Sequence, residues 1–278
     1  MATPAAQAAL SPPIPASMNM NVAAGGGLDW IKGIDGFFVQ QKVEMLETVT
    51  GCDTKNRYAL TQIQQGLPDP IPRLWINNLK KTAAQNPLIK AKEESFCLTR
   101  ICFPSIRSLI MPFKDTKETT FMTVMRPFKC TCFWPGICML NPQELSVIDA
   151  QGNIVGLAEE EFRQWWFCTR TINAKNGQGE LQYRLRVPQC GTSSGSNCCA
   201  PSCFNYNFVI DLYNPEETEV LARSASVWPG CNCGGLTDRS NLVVRFPPDA
   251  SLEQRSSVIA AMWLAEFAIF EASRSSRN

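Results

Sequence analysis

The chain has 278 residues and not one histidine. That absence excludes Ser-His-Asp and Cys-His nucleophiles, histidine-ligated zinc and an imidazole acid or base near neutral pH. A phosphate-cradling glycine loop is also missing, since the nearest pair, Gly177 and Gly179, sits in a polar turn and opens no helix. Carboxylates are scattered, and Glu159, Glu160 and Glu161 read as a solvated run. Charge is scarce at 18%, with 26 Lys and Arg against 25 Asp and Glu, a net charge of +1. No general basic footprint exists, so no nucleic-acid partner is predicted, and any lipid recognition has to be local or hydrophobic. An enzyme with a conventional active site is therefore not expected.

What is abundant is cysteine, 13 in all. The opening MATPAAQAALSPPIPA has neither a basic start nor a continuous apolar stretch, which is unlike a secretory signal. A disulfide framework is then a poorer use of the thiols than reduced side chains, metal ligands or acylation sites. Cys190, Cys198, Cys199 and Cys203, with Cys231 and Cys233, include enough thiolates for a zinc site. Their CC-x3-C and C-x-C spacings are not the usual paired C-x2-C, so zinc, centred on Cys198, Cys199 and Cys203, is a minority expectation.

Residues 1–27 are rich in Ala, Pro and Gly and read as a disordered tail. Pro12–Pro15 suits a short polyproline II segment, read as a linker in preference to a docking site for protein partners. From Leu28 the texture changes. The stretch FFVQQKVEMLETV, the turn Gly51-Cys52-Asp53 and the run Arg57–Leu60 form a hairpin signature, with a helix as the competing expectation for the first arm. Residues 61–94 hold Pro68, Pro70, Pro72 and Pro87 and read as a long connection. Strand-like runs follow at Ser108–Phe113, Thr120–Met125, Glu144–Asp149, Ile154–Ala158, Leu181–Val187, Tyr206–Leu212, Val220–Ser224 and Asn241–Phe246. Short strands at this spacing predict an up-and-down barrel or a sandwich.

One element departs from this pattern. After Pro247-Pro248 a helix is predicted over 251–271, with Ser251 as N-cap and Glu253 in its first turn. Its apolar run Val258–Phe270 is 13 residues long and carries Val258, Ile259, Met262, Trp263, Leu264, Phe267, Ile269 and Phe270 around an internal Glu266. It is apolar around nearly its whole circumference, so it has to be enclosed. Thirteen residues rise only ~20 Å, short of a hydrocarbon core of ~30 Å. A barrel interior suits the run better than a bilayer.

Five passages, in order, resemble the phospholipid scramblase family. They are GLDWIKGIDGFFVQQKVEMLETVTGCDTKNRYAL, MRPFKCTCFWPGIC, QELSVIDAQGNIVG, CNCGGLTDRSNLVVRFPPDASLEQRS and VIAAMWLAEFAIFE, together spanning residues 28–271. The resemblance implies an all-β, tubby-like barrel of about twelve antiparallel strands closed around the C-terminal helix, followed by a short polar tail at 272–278. It also implies ATP-independent, bidirectional, calcium-stimulated movement of membrane phospholipids, with the barrel on the cytoplasmic side of the plasma membrane. Calcium ligands are implied at Asp238, Ser240, Asn241 and Asp249, with Ser240 standing where the family commonly has a second Asp. As an EF-hand loop the segment is poor, because Leu242, Val243 and Val244 occupy ligand and glycine positions, and a strand with a turn fits better. Palmitate is implied on Cys130, Cys132 and Cys138, beside Phe133 and Trp134. The family's basic import-like stretch maps to Ala222–Gly230, where only Arg223 is basic; import is not expected. The alternative function is a tubby-like lipid-binding or protein adaptor that translocates nothing; a zinc-stabilised module is third.

Overall fold

The computed structural model describes residues 28–42, 56–63, 66, 68–69, 71–95, 107–129, 142–161, 169–188, 208–227 and 241–270. Twelve antiparallel strands close into a barrel around one helix. In chain order they are β1 (Gly36–Lys42), β2 (Arg57–Gln62), β3 (Ile89–Lys92), β4 (Leu109–Lys114), β5 (Thr120–Arg126), β6 (Glu144–Asp149), β7 (Ile154–Glu160), β8 (Thr169–Asn176), β9 (Leu181–Pro188), β10 (Phe208–Tyr213), β11 (Val220–Ser226) and β12 (Asn241–Arg245). Every strand pairs with its sequence neighbours, and β1 pairs with β12 to close the ring. Closure leaves no free sheet edge.

Three elements were not expected from the sequence. A helix, α1 (Arg73–Gln85), and strand β3 occupy part of the proline-bearing stretch 61–94, and β8 was not anticipated at all. Pro72 caps α1 from an extended conformation, so the prolines set the helix start instead of forbidding it. Apolar Ile76, Leu79 and Ala83 form the helical stripe that packs on the outer sheet face. There they meet Phe38, Ala59 and Val243 in a second, external core. Phe37 and Val39 point inward, so β1 is buried on both faces. A strand covered on both sides loses polar alternation, which is why FFVQQK allowed a helical reading.

The central helix, α2 (Leu252–Ala265), starts with a complete capping box: Gln254 N–H donates to Ser251 Oγ, and the Gln254 side chain accepts from the Ser251 N–H. It continues as a π-helical turn, Glu266–Phe270. Val258, Ile259, Met262, Trp263, Leu264 and Phe267 are all buried within the barrel. Trp263 meets Tyr58 and Phe113 edge-on, at 4.8 and 5.5 Å between ring centroids, and stacks on Phe267 at 5.7 Å. Burying each large apolar side chain contributes roughly 1.5–3 kcal/mol, so the helix is the barrel's core rather than its cargo.

The polar residues just ahead of the run prove buried as well. Arg255 donates to the carbonyls of Ala250 (2.9 Å) and Ile31 (2.8 Å), and to that of Ile34, while its guanidinium covers Phe246. Ser256 and Ser257 return their hydroxyls to the carbonyls of Leu252 and Gln254. Against β7 the helix backbone comes so close that a Cβ on Gly156 would lie 2.6 Å from the Ser256 carbonyl oxygen. Among the described residues no helix is long and apolar enough to cross a membrane.

Candidate functional site

The two ends of the barrel differ. At the end where α2 enters, one connection, 63–88, carries α1, and the other four are tight turns that repeat one device. Asp115, Asp149, Asn176 and Asn214 each accept backbone N–H groups from two residues of their own turn, at 2.8–3.1 Å. At the opposite mouth, where the π-helical turn emerges, the strand ends are joined by the longer connections 43–56, 93–108, 127–143, 161–168, 189–207 and 227–240. In sequence, every one of the 13 cysteines falls within one of these connections. Cys130, Cys132 and Cys138 are among them, as are Cys198, Cys199 and Cys203; all lie outside the described residues. So do the tails 1–27 and 272–278 and the side chains of Ile269 and Phe270.

Just inside this mouth sits a buried ion pair. Arg107 donates from Nε and Nη2 to the two Glu93 oxygens at 2.7 and 2.8 Å, with both side chains almost fully excluded from water. Ser95 Oγ (2.6 Å) and Asn56 Nδ2 (2.7 Å) complete the carboxylate's partners, and Gln41 in turn donates to Asn56. Burial pushes the Glu93 pKa up, but the hydrogen bonds and charge of Arg107, helped by Ser95 and Asn56, outweigh it and leave the carboxyl below its ordinary value. The Arg107 guanidinium lies 5.9 Å from the Phe267 ring. Arg170 donates to the Ala268 carbonyl at 3.1 Å and pairs with Glu160. These two arginines tie the mouth's wall to the π-helical turn, where Glu266 is fully buried and partnered.

On the outer wall a groove of about 990 Å³ crosses β4 to β8. Register shows how it is made. Glu94, Ile110, Met125, Ser146, Leu157 and Lys175 are direct cross-strand partners, one after the next. Ile110, Met125 and Ile154 are exposed there, giving an apolar floor. Glu94, Glu144, Glu159 and Lys175 form the rim, and Lys175 pairs with Glu159 at 2.6 Å. The sequence signalled it only faintly, as apolar residues on the wrong parity of otherwise alternating strands.

Of the residues implied for calcium, Asn241 and Asp249 are described, and they lie apart. Asn241 opens β12 at the cysteine-bearing mouth and is fully buried, its amide oxygen and nitrogen without hydrogen-bond partners. Asp249 lies beyond the other end of that strand, which is about 13 Å long at ~3.3 Å per residue. Calcium ligands stand only 2.3–2.6 Å from the ion, so these two cannot share one. Asp238 and Ser240 lie outside the described residues. Asn241 and Asp249 therefore do not fit one calcium cage together, and no step below is routed through the ion.

Comparison with known proteins completes the picture. The family model described as Scramblase matches residues 78–272. The chain belongs to the scramblase family. It is 26% identical over 249 residues to phospholipid scramblase 2 of Bos taurus, covering 89% of this chain and 72% of that protein. It is 24% identical to phospholipid scramblase family member 5 of Homo sapiens over 263 residues, 94% of this chain and 83% of the relative. Human phospholipid scramblase 1 is 24% identical over 250 residues, 90% and 67% respectively. No solved structure matches. The family match begins inside α1 and leaves out β1 and β2, although the scramblase-family barrel cannot close without them.

Proposed function

We propose that this protein moves phospholipids between the leaflets of a membrane, in both directions and without ATP. The observation that carries the proposal is family membership over residues 78–272, together with relatives named phospholipid scramblases. The physical obstacle to such exchange is carrying a polar headgroup through hydrocarbon. The outer groove supplies what lowers it: an apolar floor of Ile110, Met125 and Ile154 against which an acyl chain packs, and a charged rim beside it for the headgroup. Exchange down a gradient requires no nucleotide, and the sequence carries no glycine loop to hold one.

The cysteine-bearing mouth is the end proposed to face the plasma membrane from its cytoplasmic side, with palmitate on Cys130, Cys132 and Cys138 adding a second anchoring signal, because one acyl chain alone binds reversibly. Calcium enters only as a modulator of the rate. The test is a proteoliposome assay that follows loss of leaflet asymmetry of a fluorescent phospholipid, without ATP and with or without calcium. Accelerated loss supports the proposal; a rate equal to that of protein-free vesicles rejects it.

A second reading, a lipid-binding or protein adaptor that translocates nothing, is favoured by one observation: no described helix is long and apolar enough to cross a bilayer. Protein partners of the proline-containing segment 1–27 belong to this version. Vesicle binding without lipid exchange selects it.

A further inference from the structure

Three of the five large apolar side chains that stand exposed among the described residues, Ile110, Met125 and Ile154, meet in the outer groove. An exposed apolar patch rimmed by charge marks a binding surface. The sign of the rim decides what it binds. Glu144 and Glu159 are direct partners across β6 and β7, so two carboxylates oppose one another there. Each already holds a lysine: Lys129 sits 2.6 Å from Glu144, and Lys175 sits 2.6 Å from Glu159. Arg126, the other cation in the groove's lining, is buried and donates to Gln143.

Glu94 differs from both acids. It lies just past β3, beside the inward Glu93, and is exposed. Its backbone is fixed against Ile110, the N–H donating at 2.7 Å and the carbonyl accepting at 3.0 Å. That register sets its side chain on the outer face next to the exposed Ile110. Among the described residues the Glu94 carboxylate makes no ion pair and no hydrogen bond. Ser108, two residues before Ile110, also lines the groove, and its hydroxyl is likewise uncommitted among the described residues. The groove's lysines are thus engaged at the β6–β7 end, while the β3–β4 end presents a carboxylate and a hydroxyl directly against the apolar floor.

We infer that this groove takes phospholipids whose headgroup carries an ammonium group, and that Glu94 is the residue that receives it. The inference rests on the transfer reading above and deepens it, by naming the class of lipid. An acyl chain packs on Ile110, Met125 and Ile154, the ammonium meets the Glu94 carboxylate, and the Ser108 hydroxyl donates to a phosphate oxygen. A headgroup with a phosphate and no cation brings negative charge to three carboxylates whose two lysines are both engaged. Discrimination comes from this repulsion as much as from the attraction. Because Glu94 is exposed, the preference is modest and is screened by salt.

The test is saturation-transfer NMR of the full chain with dihexanoyl phosphatidylcholine and dihexanoyl phosphatidylglycerol, each kept below its micelle-forming concentration. The parent should bind the choline lipid about two- to fivefold more tightly, and that preference should shrink as salt rises from about 0.1 M to about 1 M. Glu94→Gln should lose the preference, and Glu94→Lys should invert it. Ile110→Ser with Met125→Ser should weaken both lipids alike and leave their ratio unchanged, which locates the binding in this groove. Glu216→Gln, an exposed acid at the tight-turn end, should behave like the parent. A parent that binds both lipids equally, or neither, overturns the inference, as does an unchanged preference in Glu94→Gln or a lost one in Glu216→Gln. The readout involves no lipid transfer. A parent that discriminates in this way yet leaves leaflet asymmetry untouched sinks the transfer proposal and retains this one. A parent that abolishes asymmetry of both lipids while binding them equally does the reverse.

Discussion

The tight-turn end and the cysteine-bearing mouth of the barrel are made from different chemistry. At the first, Asp115, Asp149, Asn176 and Asn214 cap their own turns, Gly152 and Gly179 take left-handed conformations, and Arg255 fastens the helix to the backbone around Ile31. At the second, the connections are longer in sequence and hold all the cysteines, and the π-helical turn is held by Arg107 and Arg170. Local hydrogen bonds suffice where strands only need to reverse direction. The other end carries a π-helical turn, and π-turns are frequent at functional sites.

The largest expected effect falls on neither end but on the helix joining them. Deleting residues 258–270 removes the interior of the barrel, and the remaining chain should show no cooperative thermal transition. A truncated protein that stays monomeric and melts cooperatively would make the helix an independent anchor.

Next comes the mouth's buried pair. Glu93→Gln leaves Arg107 charged and unmatched in the interior and should cost about 3–5 kcal/mol in denaturant unfolding; Glu93→Gln with Arg107→Met should cost much less. The pH dependence has a definite sign. Glu93 has a folded-state pKa below its unfolded value, so its contribution is present above the unfolded pKa and is lost as pH falls through the folded one. The acid-side loss of stability should therefore be shallower in Glu93→Gln than in the parent. Equal slopes would show that the carboxylate gains nothing from its partners.

At the helix entry, Gly156→Val forces a side chain into the Ser256 carbonyl and should destabilise by about 1–3 kcal/mol. The smallest effect is expected at the turns. Asp149→Ala removes the hydrogen bonds from Gln151 and Asn153 and should cost about 0.5–1.5 kcal/mol. If Asp149→Ala proved worse than Glu93→Gln, the contrast between the two ends would be reversed.

Much of this was legible in the sequence, for identifiable reasons. Strands β6 and β9 show because polar outer residues alternate with apolar inner ones, as in Leu145 and Val147 of β6. The enclosed helix shows because its apolar run has no polar face and contains a carboxylate at Glu266. Helix α1 was hidden by the prolines that start it, and β8 by a run, Thr169–Asn176, whose polar residues obscure the buried Ile172 and Ala174. The Glu93–Arg107 pair joins residues 14 apart across the long connection between β3 and β4. No local pattern encodes it. The shared mouth of the cysteines is likewise a consequence of up-and-down order, which sends every second connection to the same end.

The central claim is that the outer groove carries lipid between leaflets. The most direct measurement compares the parent with the double variant Ile110→Ser, Met125→Ser in proteoliposomes at equal protein load. Both positions are exposed, so the variant should unfold within about 0.5 kcal/mol of the parent. The account predicts that the parent abolishes leaflet asymmetry of a fluorescent phospholipid and that the variant, equally folded and equally incorporated, does so severalfold more slowly. Identical rates would contradict it.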